Sequence, residues 1–374
     1  MTRSIAYVLV FFAGAAALSW EVLWQLQASL AIGVSAKGTA VTLAATMAGM
    51  SAGAALMGRA LRGRDPARPL RVYGSLEVLV ALAGLTLLPG FHLIERIDGA
   101  IYGAHPVLAP VIHLAAILVL LGPATLAMGA TIPVFGLVAR ASGTTIANLY
   151  AANTAGAAAG VGLVSFVALP HLGVELSVIA LACVNLSVAA AAWLSRGGAA
   201  SVGEDVADQP EPAPAARTMR LAALLVFVSG FVSFGLEVAW FRALRAAFLS
   251  TTHSFAIMLA SVLVPLAAGA RLSTWLAKRK VTLGAALAAA GVAVLVATPV
   301  VERFDRVVDA TLFGYWATNA AWLGISLLVL GPGILLLGTC LPWVLKEHVE
   351  PAAWGRSAGR APSAPGGWPI RSTT

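Results

Sequence analysis

The sequence predicts an all-α fold: a polytopic membrane helix bundle of about ten transmembrane helices in two parallel repeats, the second incomplete. Three observations carry this. Of the 374 residues, 59% are hydrophobic and 11% charged, with a mean hydropathy of +0.88. A globular core of this length could not hide so much apolar surface, and the bilayer is the solvent that accepts it. The apolar residues gather in runs that approach or exceed the ~20 residues needed to cross hydrocarbon. Finally, residues 11–61 return in register at 227–277, so that Gly14, Glu21, Val22, Trp24 and Gly53 fall on Gly230, Glu237, Val238, Trp240 and Gly269. Two later blocks repeat in the same order. Ile94-Glu95-Arg96-Ile97-Asp98 answers to Val301-Glu302-Arg303-Phe304-Asp305, and Gly122-Pro123…Gly129…Pro133 answers to Gly331-Pro332…Gly338…Pro342. Matched blocks in one order mark a duplicated unit.

The first repeat, 1–194, holds six expected spans. The first, 5–32, follows Met1-Thr2-Arg3-Ser4 and is too long for a signal peptide, so it reads as a retained helix. Spans follow at 39–58, 72–90, 108–138, 146–169 and 174–194. A cytoplasmic linker, 195–219, is rich in Gly, Ala, Pro and acids. The second repeat, 220–347, holds four: 221–249, 254–277, 281–300 and 316–345. Pro123 and Pro332 lie within long runs and give a kink a named cause. Ile94, Ile97 and Ile101 share one helical face, as do Val301, Phe304 and Val308, which predicts short amphipathic helices at the outer interface. The segment 348–374, with Pro362, Pro365 and Pro369 and no apolar run, is expected to be a disordered cytoplasmic tail. The second repeat stops where a fifth span should start, an expectation of truncation or a changed reading frame near residue 360.

Charge sets the orientation. Arg59, Arg62, Arg64, Arg68 and Arg71 crowd one connection, and Lys278, Arg279 and Lys280 fill another. Cytoplasmic loops carry the Lys and Arg excess, so both connections and both termini are expected inside. The net charge of +8 is thereby a topology signal, and no nucleic-acid partner is expected. Cys183 and Cys340 lie inside apolar runs and are expected to be buried free thiols.

Leu18-Ser19-Trp20-Glu21-Val22-Leu23-Trp24, its copy Phe234-Gly235-Leu236-Glu237-Val238-Ala239-Trp240-Phe241-Arg242, and Gly129-Ala130-Thr131-Ile132-Pro133 with Leu149-Tyr150-Ala151-Ala152-Asn153-Thr154-Ala155-Gly156 carry a family resemblance. They resemble the membrane module of bacterial spermidine-synthase-like fusion proteins, in which a multi-span domain precedes a cytoplasmic aminopropyltransferase-type domain. The resemblance covers nearly all of 5–345 and implies an inner-membrane location. An aminopropyltransferase-type domain needs a Rossmann-like unit with a Gly-rich turn; no such pattern follows Lys346, so no synthase activity is expected.

Glu21 and Glu237 are the sharpest candidate residues. A charge deep in an apolar helix costs about 2.5–3.5 kcal/mol even on the lenient insertion scale. Such an acid is kept if protonated and hydrogen-bonded to a neighbouring helix, if it serves substrate or proton coupling, or if it snorkels. Arg242 follows Glu237 on its helix, and a Glu21–Arg242 pair across the repeat axis would satisfy both charges. Trp24 and Trp240 read as packing residues or stacking platforms, and Asn153 as a helix-packing hydrogen bonder or a ligand contact. Glu77 and Arg271 are expected to snorkel to the cytoplasmic boundary. The six histidines lack ligand spacing, so no metal is expected, and no cofactor motif is present. Two functions of different class follow. One is binding or transport of a small cationic metabolite such as a polyamine. The other is a non-transporting scaffold for a separate soluble aminopropyltransferase-like enzyme, or a truncated inactive product. The bilayer is the expected environment, with a soluble enzyme or a second copy of the chain as candidate partners.

Overall fold

The computed structural model describes residues 3–31, 36–62, 66, 68–102, 107–144, 146–195, 216–248, 251–310 and 314–348. The described residues form an all-α bundle without strands: α1 (Arg3–Ala31), α2 (Ala36–Ala60), α3 (Pro69–Leu85), α4 (Leu87–Tyr102), α5 (Ala109–Ser142), α6 (Ile146–Leu163), α7 (Leu169–Leu194), α8 (Ala216–Phe248), α9 (Thr251–Lys278), α10 (Leu283–Val301), α11 (Phe304–Asp309), α12 (Tyr315–Leu337) and α13 (Cys340–His348). Eight stretches are long and apolar enough to cross a membrane, or nine with the bent pair α3–α4. The chain is therefore a multi-pass membrane protein by length and composition.

One of the eight stretches, Asn148–Leu194, is 47 residues long. As a straight rod it would run about 70 Å, more than twice a hydrocarbon core of ~30 Å. It is not straight. A π-helical turn at Val164–Ala168 links α6 to α7, and Gly173 then leaves helical geometry at φ 71°, ψ −175°. That φ is open to glycine and costly for residues with a Cβ.

Four boundaries differ from the sequence expectation. The span expected over 72–90 ends at Leu85, where Thr86 breaks the helix with a 42° bend into α4. Pro89 explains it: without an N–H it cannot continue the hydrogen-bond ladder back to Leu85. The amphipathic segment expected at 94–101 is accordingly longer, and α4 begins at Leu87. The last span is interrupted at Gly338-Thr339, between α12 and α13. α8 begins at Ala216, inside the range expected for the linker. Residues 196–215 and 349–374, most of the expected linker and nearly all of the expected tail, lie outside the described residues. Both cysteines are free, but only Cys340 is buried; Cys183 faces out of the bundle, where an apolar thiol is at home against lipid.

The same pairings recur in both halves. α2 lies along α5, and α9 along α12; α3 packs on α5, and α10 on α12; α4 touches α1, and α11 touches α8. Glycines set the closest approaches. Gly53 lies against the Leu126 carbonyl, and Gly269 against the Leu335 carbonyl; Gly129 lies against the Met50 backbone, and Gly338 against that of Leu266. A Cβ at any of the four would collide with main chain, as expected where helices associate through backbone proximity.

Among the described residues, α1 has a further partner that α8 lacks. Gly14 meets the Asn153 backbone on α6, and Gly156 and Gly160 of α6 meet the Phe11 and Ala15 carbonyls of α1. At the corresponding place on α8, Gly230 has nothing within 4 Å of where its Cβ would be, and Phe227 and Phe231 stand exposed with rings stacked at 6.5 Å. The two halves meet where α9 packs against α6, α1 and the π turn.

Candidate functional site

On α1, every residue from Ser19 to Gln25 is buried. Seven consecutive residues make nearly two helical turns, so α1 is enclosed on all sides here. The enclosure holds polar atoms. Among the described residues, Glu21 Oε1, Trp24 Nε1 and Gln25 Oε1 are buried without a protein hydrogen-bond partner, and so are Ser165 Oγ in the π turn and Ser261 Oγ on α9. α1, the π turn and α9 are among the elements that meet at the junction of the halves. π turns inserted into α-helices are frequent at functional sites.

Glu237, half-buried on α8, is near enough to Glu21 for the two charges to act on one another. Depth along the helices agrees. Glu21 lies ten residues before the end of α1 and Glu237 eleven before the end of α8, while Ser261 and Ser326 lie ten and eleven residues after the starts of α9 and α12. Each is thus about 15–17 Å from the same face of the bundle. Ser326 Oγ and Asn319 Oδ1, both on α12, complete the buried atoms without a protein partner among the described residues.

All but one of these atoms accept hydrogen bonds: carboxyl and amide oxygens, and hydroxyls that can also donate. An orphaned buried polar group costs about 1–3 kcal/mol, so an arrangement of several is not neutral packing. Its chemistry suits a ligand that brings N–H donors and positive charge. The buried Trp24 and Trp240 supply aromatic rings on the two acid-bearing helices, and ring faces attract cations.

The structure brings Glu21, Glu237, Trp24 and Trp240 to one level, but not the other two candidates. Arg242 is exposed and forms no ion pair with Glu21, whose Oε1 is unpartnered. One further turn along α8, the long arginine reaches out of the bundle while the acid reaches in. Asn153 is half-buried against Gly14, seven residues and roughly 10 Å down α1 from Glu21. It belongs to the α1–α6 contact.

A second buried acid was missed by the snorkelling argument. Glu77 is 3% exposed and accepts a 2.6 Å hydrogen bond from Asn185 Nδ2, while Asn185 Oδ1 accepts one of 2.8 Å from Trp20 Nε1. Tyr73, one turn earlier, also hydrogen-bonds the Glu77 carboxyl. Tyr73, Glu77, Ala81 and Gly84 are all buried at helical spacing, so the acid sits on the packed stripe of α3. The signal was present: small residues at i+4 and i+7 from an acid mark a helix–helix face rather than a solvent-seeking one. Among the described residues, no three His, Cys, Asp or Glu side chains gather as metal ligands.

No protein-family model, curated protein or solved structure matches the chain.

Proposed function

We propose that this multi-pass membrane protein binds and translocates a small cationic metabolite of polyamine type at the junction between two parallel repeats. The single observation that carries the reading is the Glu21 carboxyl, 2% exposed and, among the described residues, without a hydrogen bond at Oε1, with a second acid, Glu237, in the matching register of the other half. Intramembrane acids of this kind are costly and are retained for ion or substrate pathways. The recurring pairs α2–α5 and α9–α12, with their matched glycine contacts, support the duplicated architecture. Transporter sites lie between such repeats, near the middle of the membrane. Counting the 47-residue stretch as two crossings and α3–α4 as one gives ten spans, with both termini in the cytoplasm of an inner membrane.

Uptake of radiolabelled spermidine by reconstituted protein tests this. Saturable uptake is expected, with at least a ~10-fold loss of initial rate in Glu21→Gln and in Glu237→Gln. That factor corresponds to removing one charge contact worth about 1.4 kcal/mol. Wild-type uptake no greater than that of empty vesicles would overturn transport and leave the scaffold reading. Uptake indifferent to both substitutions would remove the site. Orientation has its own check. In a chain with Cys183 and Cys340 replaced by alanine, a cysteine at position 64 should label from the cytoplasmic side only and one at position 98 from the outside only. Outside labelling at both would invert the topology argument.

A further inference from the structure

The helix ends opposite the buried acids carry a cavity of about 470 Å³ between α2, α5 and the start of α6. It exists because side chains are missing. Gly58 and Gly136 line it, and a Cβ on either would meet only Pro133 Cγ at 4.0 Å or Ile146 Cδ1 at 3.6 Å. In the second half the corresponding positions carry Thr274 and Leu345, so the feature is not demanded by the shared packing.

Its lining is two-faced. Arg62 and Arg140 bring guanidinium groups, Thr144 a hydroxyl that shares a 2.6 Å hydrogen bond with Tyr7 Oη, and among the described residues no carboxylate lines the wall. The Arg3 guanidinium packs beside Gly143 at the same end. The first turn of α6 starts at Ile146, and its N–H groups and dipole add positive potential at the rim. The rest is apolar: Leu61, Pro133, Leu137 and Ile146. Ile146 is also exposed, so the apolar wall continues out to the mouth.

We propose that this cavity is a binding site for an anionic phospholipid, its phosphate held by Arg62, Arg140 and Thr144 and its glycerol and first methylenes lying on the apolar wall. A free phosphate would satisfy the arginines but leave the apolar wall uncovered, whereas an anionic lipid matches both. With the orientation proposed above, the lipid comes from the cytoplasmic leaflet, where surface arginines meet anionic headgroups.

Delipidated full-length protein in dodecyl maltoside is titrated with phosphatidylglycerol, phosphatidylcholine or inorganic phosphate, reading Tm and, by native mass spectrometry, bound lipid. Phosphatidylglycerol is expected to raise Tm and to remain bound one per chain, with a much smaller response to phosphatidylcholine. Arg62→Gln should raise the half-maximal lipid concentration about fivefold, and Gly136→Leu, which fills the cavity, should abolish the specific response. If Gly136→Leu fails to fold, the exposed Arg62 variant carries the test alone. Equal responses to the two lipids, or a phosphatidylglycerol response unchanged in Arg62→Gln, would overturn the proposal. So would a full response to inorganic phosphate, which would make the site one for a soluble anion.

Discussion

Gly156→Val should abolish the folded protein, whereas Gly230→Val should leave it intact. Both residues lie on apolar helices, and propensity separates them little. What differs is the space: a Cβ at Gly156 would overlap the Phe11 carbonyl, while one at Gly230 meets nothing within 4 Å. A side chain can rotate away from an intruding methyl; a backbone carbonyl cannot, so α1 and α6 would have to separate along their length. Ordinary overpacking costs about 1–3 kcal/mol, and here the approaches of Gly14 to Asn153 and of Gly160 to Ala15 would be lost as well. In lipid, where close packing and not water exclusion holds helices together, little compensates. Detergent-extracted protein should show loss of the monodisperse peak for Gly156→Val and Gly14→Val. The pair Gly14 and Gly230 is the sharper comparison, because the two occupy the same place in the repeated sequence and should respond in opposite ways. Gly230→Val as damaging as Gly14→Val would mean that α8 is covered in the folded protein.

The helical bundle was legible because apolar runs of span length admit few alternatives. Breaks within the runs were less legible. Thr86 and Gly173 interrupt stretches whose composition alone reads as continuous, and only Pro89 and a left-handed glycine mark them. The candidate site is half visible in the sequence. Acids in apolar helices stand out, so Glu21 and Glu237 were named, yet Gln25, Ser165 and Ser261 look like ordinary membrane residues until packing strands their polar atoms. Glu77 failed for a definite reason: distance from the span's end measures depth, whereas burial depends on which face the residue occupies. The Glu21–Arg242 pair failed because charge complementarity along a sequence says nothing of direction, and the two side chains leave α1 and α8 on different sides.

Asn185→Leu should destabilise the bundle by about 2 kcal/mol, a large effect for one neutral side chain in a membrane protein. Asn185 on α7 accepts from Trp20 on α1 and donates to Glu77 on α3, so one amide ties three helices. Leucine keeps the branched heavy-atom skeleton of asparagine, so the main loss is polar, and its bulkier methyl groups add overpacking at this buried site. It would leave the Trp20 N–H and one Glu77 oxygen buried and unmatched, each at about 1–3 kcal/mol by the general scale for orphaned groups. Membrane double-mutant cycles average nearer 0.6 kcal/mol per bond, because the unfolded helices also find partners in lipid. Two bonds, one to a carboxyl, place the sum between those limits. Ser187→Leu is the control: two residues away, Ser187 is exposed and bonds only its own helix at the Cys183 carbonyl, so a change within ~0.5 kcal/mol is expected. Trp20→Phe combined with Asn185→Leu should cost less than the two changes added, by at least about 0.5 kcal/mol, because each single change strands the other's partner. Unfolding in a mixed detergent titration measures all four proteins. A loss for Asn185→Leu no larger than that for Ser187→Leu would show that the three-helix tie contributes nothing to holding α1, α3 and α7 together.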